Sequence, residues 1–265
     1  MKLSLCTTSM NRLCHLKETL PRNIEDNIDC DDLEFVILDY NSTDGIGDWI
    51  RDNFSDLIAS GRLVYFRENE ATNFRPAHSR NVSIRCATGD LTCNVDADNR
   101  TNKGFANFLL DYFHCRYHPV IACSYDFFKW EAMSTHGRVA MRRQHFFRIG
   151  GYDEAMLGWG AEDTDLINRC LLAGFERREI TPEYFDVIEH DDTQRIENVD
   201  FSHLEEIPDD SEERKDASNV LNCKWMGWKR RNEFFVANVG HCWGKAVVEK
   251  NFSEIIHLRN PWIGL

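Results

Sequence analysis

No window of this sequence approaches the ~18 consecutive apolar residues that a membrane-spanning helix requires, so no transmembrane segment is expected. Residues 1 to 20 lack a basic region followed by a sustained apolar run, since Thr7, Thr8, Ser9, Asn11 and Arg12 interrupt it, and no signal peptide is expected either. The ten cysteines include no C-x-x-C pair, no zinc-finger spacing and no dense disulfide framework, and they read as buried thiols. Positive charge is scarce. Lys and Arg total 31 against 44 Asp and Glu, and a net charge of -13 repels phosphate backbones, which argues against a nucleic-acid partner. These absences describe a cytoplasmic protein in a reducing compartment, where the N-x-S/T matches at Asn41, Asn81, Asn99 and Asn251 have no chemical consequence.

What is present is a chain of 265 residues, long enough for one large α/β domain with a substantial core. Strand-like runs at Lys2–Thr7, Leu33–Asp39, Arg62–Arg67 and Asp90–Asp96 alternate with helix-like segments such as Leu13–Asn27 and Ile46–Ala59. That alternation implies a parallel sheet of Rossmann-like type flanked by helices. Ligands of such sheets sit beyond the carboxyl ends of the strands, where Thr7-Thr8-Ser9, Asp39 to Asp44 and Asp96-Ala97-Asp98 fall. A further helix is expected from about Glu162, with Leu166, Ile167, Cys170 and Leu171 as its apolar stripe and Gly174 as its stop. We divide the chain into a domain over residues 1–195 and a C-terminal extension over 196–265. The extension opens with a charge-dense stretch at 205–216 that reads as a mobile loop, and its FFVANV and KAVVEK runs read as short strands with a helix.

The segment CNVDADN (93–99) places two carboxylates one residue apart at the end of a strand. With side chains alternating at period two, Asp96 and Asp98 would project to one side, where their repulsion is relieved by a divalent cation or by hydrogen bonds. Capping of the following turn is the competing explanation. An EF-hand is excluded, because Thr101 stands where the loop glycine belongs and Asn107 where the bidentate Glu belongs.

Four ordered segments add to this pair: LSLCTTSMNR (3–12), EFVILDYNSTDG (34–45), HSRNVSIRCATGDLTCNVDADN (78–99) and GGYDEAMLGWGAEDTDLINRCLLAGF (150–175). Together they resemble inverting GT-A glycosyltransferases. The first three look like family 2 nucleotide-sugar transferases, and the last is similar to the C-terminal catalytic motif of β-1,4-galactosyltransferases and polypeptide N-acetylgalactosaminyltransferases. The resemblance implies that Thr8, Ser9 and Asp39 hold the nucleotide base, that Asp96 reaches the ribose, and that Arg75 and Arg80 contact the diphosphate or uridine. It further implies that Asp98 and His190 hold a metal, Mn²⁺ before Mg²⁺ because of the imidazole ligand, with Asp191 and Asp192 as spare ligands. Asp163 would be the general base, and Trp159 and Glu162 would contact the acceptor. The pKa of Asp163 is contested: a helix N-terminus lowers it, whereas Glu162, Asp165 and burial raise it.

The reading is therefore a GT-A enzyme of polysaccharide or glycoconjugate synthesis. It would transfer a hexose or N-acetylhexosamine from a UDP-sugar to a saccharide hydroxyl with inversion. A sugar-nucleotide pyrophosphorylase is an alternative, although CTTSMNRLC contains no Gly for a phosphate loop. A non-catalytic carbohydrate-binding protein of the same fold is another. The basic-aromatic stretch KWMGWKRR (224–231) reads as peripheral contact with a membrane carrying a lipid-linked acceptor, as a partner-docking segment, or as an ordinary amphipathic helix.

Overall fold

The computed structural model describes residues 1–114, 116, 118–123, 136–189, 196–204, 206–207 and 211–259. In chain order the elements are β1 (Leu3–Ser9), α1 (Leu13–Asp26), β2 (Leu33–Tyr40), α2 (Ile46–Ala59), β3 (Leu63–Glu68), α3 (Pro76–Cys86), β4 (Leu91–Asn94) and β5 (Asn99–Arg100). They continue with α4 (Phe105–His114), β6 (Val120–Cys123), β7 (Val139–Arg142), α5 (Arg143–Arg148), α6 (Glu162–Leu172), β8 (Glu176–Glu179), β9 (Asp186–Val187), α7 (Ser211–Arg231), β10 (Ala246–Lys250) and β11 (Glu254–Leu258).

Nine strands form one sheet in the order β11-β10-β3-β2-β1-β4-β7-β6-β8, and β5 and β9 form a separate antiparallel pair. The centre, β3-β2-β1-β4, is parallel, as the βα alternation requires, while β7 and β10 join it antiparallel. Both faces of this centre are covered. Along β2, Phe35 and Ile37 enter one core cluster while Val36 and Leu38 enter the other, which is why FVIL (35–38) is apolar without interruption where a half-exposed strand would alternate. The strand order reverses direction at β1, with β2 on one side and β4 on the other, so a crevice opens at the carboxyl ends of β1 and β4.

The expected strands and helices of the first hundred residues form within a residue or two, except that β4 stops at Asn94. The tail differs more. From Ser211 onward the charge-dense stretch is not a loop but the start of a 21-residue helix, whose C-terminal half is KWMGWKRR. FFVANV forms no strand, whereas the KAVVEK run supplies β10, which pairs with β3 and extends the central sheet. The tail is also pinned by Arg85, whose Nη1 donates to the carbonyls of Trp243 and Gly244 at 2.7 and 2.6 Å, and Trp243 is buried against Phe146 and Phe147.

Candidate active site

At the end of β1, Thr8 and Ser9 are buried, and the Ser9 hydroxyl has no hydrogen-bond partner. At the end of β2, Asp39 is fully buried: Oδ1 accepts the Ser42 N–H at 2.7 Å, and Oδ2 accepts from Tyr65 Oη and Arg67 Nη1, both at 2.7 Å. The carboxylate expected to meet a nucleotide base thus anchors a turn and two neighbours, and Arg67 is the part-exposed member of that group. Arg75 lies half-buried at the head of α3, where its carbonyl accepts the Ser79 N–H at 2.9 Å and its guanidinium makes no hydrogen bond or ion pair among the described residues.

Arg80, one turn further along α3, is the hub of the site. Its Nη1 donates to Glu162 Oε1 at 2.7 Å and to Asp163 Oδ1 at 3.0 Å, and its Nη2 donates to Asp96 Oδ1 at 3.1 Å. Its guanidinium carbon lies 5.6 Å from the centre of the Tyr152 ring. One buried cation therefore gathers three carboxylates from two distant stretches of chain, the end of β4 and the first turn of α6. Such a cluster is stable only because each charge has a partner. Asn94 Nδ2 completes it by bridging Asp96 Oδ1 and the Gly137 carbonyl at 2.9 and 2.8 Å. Gly137 has no room for a side chain, since a Cβ there would collide with Asp96 Oδ2.

Asp98 is half-buried, and its Oδ1 accepts from Asn99 Nδ2 at 2.7 Å. Period-two alternation does not extend to it, because the ladder ends at Asn94 and Ala97–Asp98 form a turn. The turn is held from below by a polar stripe on α1 at spacings of four. Thr19 Oγ1 donates to the Ala97 carbonyl at 2.7 Å, and Asn23 exchanges hydrogen bonds with the Asn99 carbonyl and the Thr101 N–H at 3.0 and 2.8 Å. Asn27 in turn bonds Thr101 Oγ1 and the Ala106 N–H at 2.9 and 2.8 Å. From the other side the fully buried Arg138 donates to Asn99 Oδ1 and the Arg100 carbonyl, both at 3.0 Å, and burial pulls its guanidinium down to about 10. The Ile188 N–H donates to the Asp98 carbonyl at 2.8 Å, so β9 brings the chain alongside Asp98. His190, Asp191 and Asp192 lie outside the described residues.

The first turn of α6 carries Glu162, Asp163 and Asp165; Glu162 and Asp163 share Arg80, whereas Asp165 pairs elsewhere. Asp165 is fully buried between Arg169 Nε at 2.7 Å and Lys229 Nζ at 2.6 Å, which makes it a structural ion rather than a candidate base. Asp163 is buried beside Arg80, and its carboxyl is pushed up to about 7, chiefly by burial; Arg80 opposes the rise, and the charges of Glu162 and Asp96 add to it. Burial thus outweighs the lowering by Arg80.

Trp159 precedes this turn on a loop braced by α7. Its N–H donates to Ser218 Oγ at 3.0 Å, the Lys215 ammonium lies 5.1 Å from its ring centre, and the ring is half-buried. The flanking glycines serve close contact as well as backbone freedom. Gly158 and Gly160 have φ of +70° and +98°, and a Cβ on either would strike Ser218 or Asn219. Asn222 Nδ2 adds bonds to the Leu157 and Gly160 carbonyls at 3.0 and 2.9 Å. Gly150 and Gly151 likewise admit protein, the Ala237 backbone and the Asn81 and Trp243 side chains.

Sequence reasoning missed Arg138, Lys229, Arg67 and Gly137, which carry no local signal. The α1 stripe had one: Thr19, Asn23 and Asn27 recur at helical spacing on a face that also carries core leucines.

Residues 117–197 match the family model described as the N-terminal domain of galactosyltransferase, a segment that includes Trp159, Glu162 and Asp163. No curated protein matches the sequence. Among solved structures, the chain is similar to the mannosyltransferase PcManGT from Pyrobaculum calidifontis in complex with GDP-Man and Mn²⁺, at 16% identity and a TM-score of 0.59, over 88% of this chain and 72% of that one. It is also similar to S. aureus TarS 1-349 in complex with UDP-GlcNAc, at 16% identity and a TM-score of 0.58, over 78% of this chain and 64% of that one. With its parallel sheet centre and crevice at the end of β1, the chain has the GT-A fold of the glycosyltransferases.

Proposed function

We propose that the chain is a metal-dependent inverting glycosyltransferase that moves a hexose or N-acetylhexosamine from a UDP-sugar to a saccharide or glycoconjugate hydroxyl. The observation that carries this reading is Asp163: a buried carboxylate pushed up to about 7, held by Arg80 against the strand end that bears Asp96. A base is most effective when its pKa lies near the working pH. The resemblance at GWGAEDTDL and the match over residues 117–197 support the same role.

In this reading Thr8 and Ser9 line the base pocket, the buried Ser9 hydroxyl supplying an unused donor, and Asp39 orients Arg67 at the adjoining wall. Asp96 reaches the ribose while Arg80 restrains it, and Arg75 offers a charge to the diphosphate. The residues fit a divalent cation of limited protein ligation. No group of three or more His, Cys, Asp or Glu that could hold a metal exists among the described residues, but Asp98 is a half-buried carboxylate beside a chain that continues from Ile188 toward His190. Cations that act on nucleotides draw few ligands from protein and the rest from phosphate and water. Bound there, Mn²⁺ would offset the charge that develops on the departing diphosphate. Asp163 takes the proton of the acceptor hydroxyl as that oxygen attacks the anomeric carbon opposite the leaving group, and Trp159 with Glu162 holds the acceptor on the same wall.

The nine described cysteines are free, and no helix among the described residues is long and apolar enough to cross a membrane. Calorimetric titration with UDP tests the donor site. Binding that requires Mn²⁺ is the expected result, and metal-independent or absent binding contradicts it.

A further inference from the structure

One flank of α7 takes no part in this site. Ser218, Asn222 and Lys229 turn inward, whereas Leu221, Trp225 and Trp228, at spacings of four and three, form an exposed stripe that Phe234 and Phe235 continue beyond the helix. These large side chains are 39 to 50% exposed, an uncommon concentration for a surface in water. The rings are ordered with respect to one another. Trp225 and Trp228 stack with centres 5.0 Å apart and planes 5° apart, and Phe234 stacks on Trp228 at 5.3 Å and 16°. The Lys229 ammonium lies 5.7 Å from the Trp225 ring centre. Trp228 thus spends ring face on two neighbours, which reduces the open face that a saccharide platform needs.

The charge around the stack is also out of character. In a chain of net charge -13, the exposed Lys224, Arg230 and Arg231 cluster here, with Lys229 beneath them. Aromatic side chains rimmed by Lys and Arg suit the boundary between headgroups and acyl chains, where the rings leave water and the cations meet lipid phosphates. We propose that the C-terminal half of α7, with Phe234 and Phe235, is a docking surface for the anionic face of a lipid bilayer. The inference stands apart from the catalytic reading, since none of these side chains belongs to the site.

Co-sedimentation of the whole protein with vesicles tests it, using phosphatidylcholine alone and phosphatidylcholine with one third phosphatidylglycerol. Association with the anionic vesicles, weak binding to the neutral ones and release by salt are expected. Lys224→Glu/Arg230→Glu/Arg231→Glu should lower partitioning by about a hundredfold or more, since each basic residue near an anionic surface contributes severalfold. Trp228→Ser/Phe234→Ser should also weaken association, and Arg231→Glu alone measurably so, with melting temperature and UDP binding kept in all three. The proposal is overturned by folded wild-type protein that ignores anionic vesicles at low salt, or by binding unchanged in all three variants. It is equally overturned if light scattering shows Trp228→Ser/Phe234→Ser converting a dimer to a monomer, which would make the stripe an interface between copies of this chain.

Discussion

Arg80 and Asp163 stand 83 positions apart in sequence and 3.0 Å apart in the fold. That contact ties α3 to the first turn of α6 and sets the proton affinity of the proposed base from both sides: burial raises it and the guanidinium restrains the rise. With the carboxyl at about 7, the proton-accepting form is in the minority in mild acid and predominates above neutrality. Transfer should therefore climb through pH 7 to a plateau, measured as kcat/KM against pH. Asp163→Asn should keep UDP affinity near wild type and lower turnover about a hundredfold or more.

The same group predicts a slope in stability. A carboxyl whose pKa is raised on folding binds more protons in the native than in the unfolded state, so stability falls as pH rises between the ordinary Asp value of 3.8 and about 7. Melting temperatures of wild type should decline across that window, and those of Asp163→Asn should decline less.

Removing the hub is a harsher change. Arg80→Ala leaves the buried Glu162 and Asp163 and the half-buried Asp96 without their shared cation, and breaking a buried pair costs about 3–5 kcal/mol. A large drop in melting temperature is expected, and, where folded protein is recovered, a pH–rate midpoint displaced upward.

Much of this was legible in the sequence, for identifiable reasons. The parallel centre follows from apolar runs such as FVIL (35–38) alternating with amphipathic segments, which are local signals. The first-turn acids of α6 were also visible, but not their separate fates, because the ions that distinguish them, Arg80 for Asp163 and Lys229 for Asp165, arrive from α3 and α7. Asp96 and Asp98 were found as a pair, yet their shared orientation was inferred from a strand that ends before them. Nothing local to the glycines around Trp159 reveals that Ser218 and Asn219 press on them. FFVANV misled because strand-like composition cannot report that no neighbouring edge pairs with it.

Asp98 is predicted to depend on supports that never touch a ligand. Asn23→Ala removes three hydrogen bonds beneath the 97–101 turn, so Mn²⁺-dependent UDP affinity should fall more than melting temperature does. Asp98→Ala should abolish the metal dependence with the fold intact, and His190→Ala should weaken it more mildly. Calorimetry with and without Mn²⁺ checks all three.

Trp159→Ala is predicted to raise the acceptor KM and reduce transfer more than donor hydrolysis, because the ring lies four residues before the base, on the same braced loop. Lys215 already lies against this ring, so a packing role predicts instead a lower melting temperature with proportionate loss of both activities.

The most direct test of the central claim is nucleotide release during transfer. Wild type and Asp163→Asn are incubated with UDP-hexoses and UDP-N-acetylhexosamines, a panel of saccharide acceptors and Mn²⁺, and UDP and the anomeric configuration of the product are measured. The account predicts UDP release by wild type that requires Mn²⁺ and is strongly accelerated by acceptor, a product of inverted configuration, and near-complete loss of transfer in Asp163→Asn despite retained UDP binding. Retained configuration, or undiminished turnover in Asp163→Asn, would contradict it.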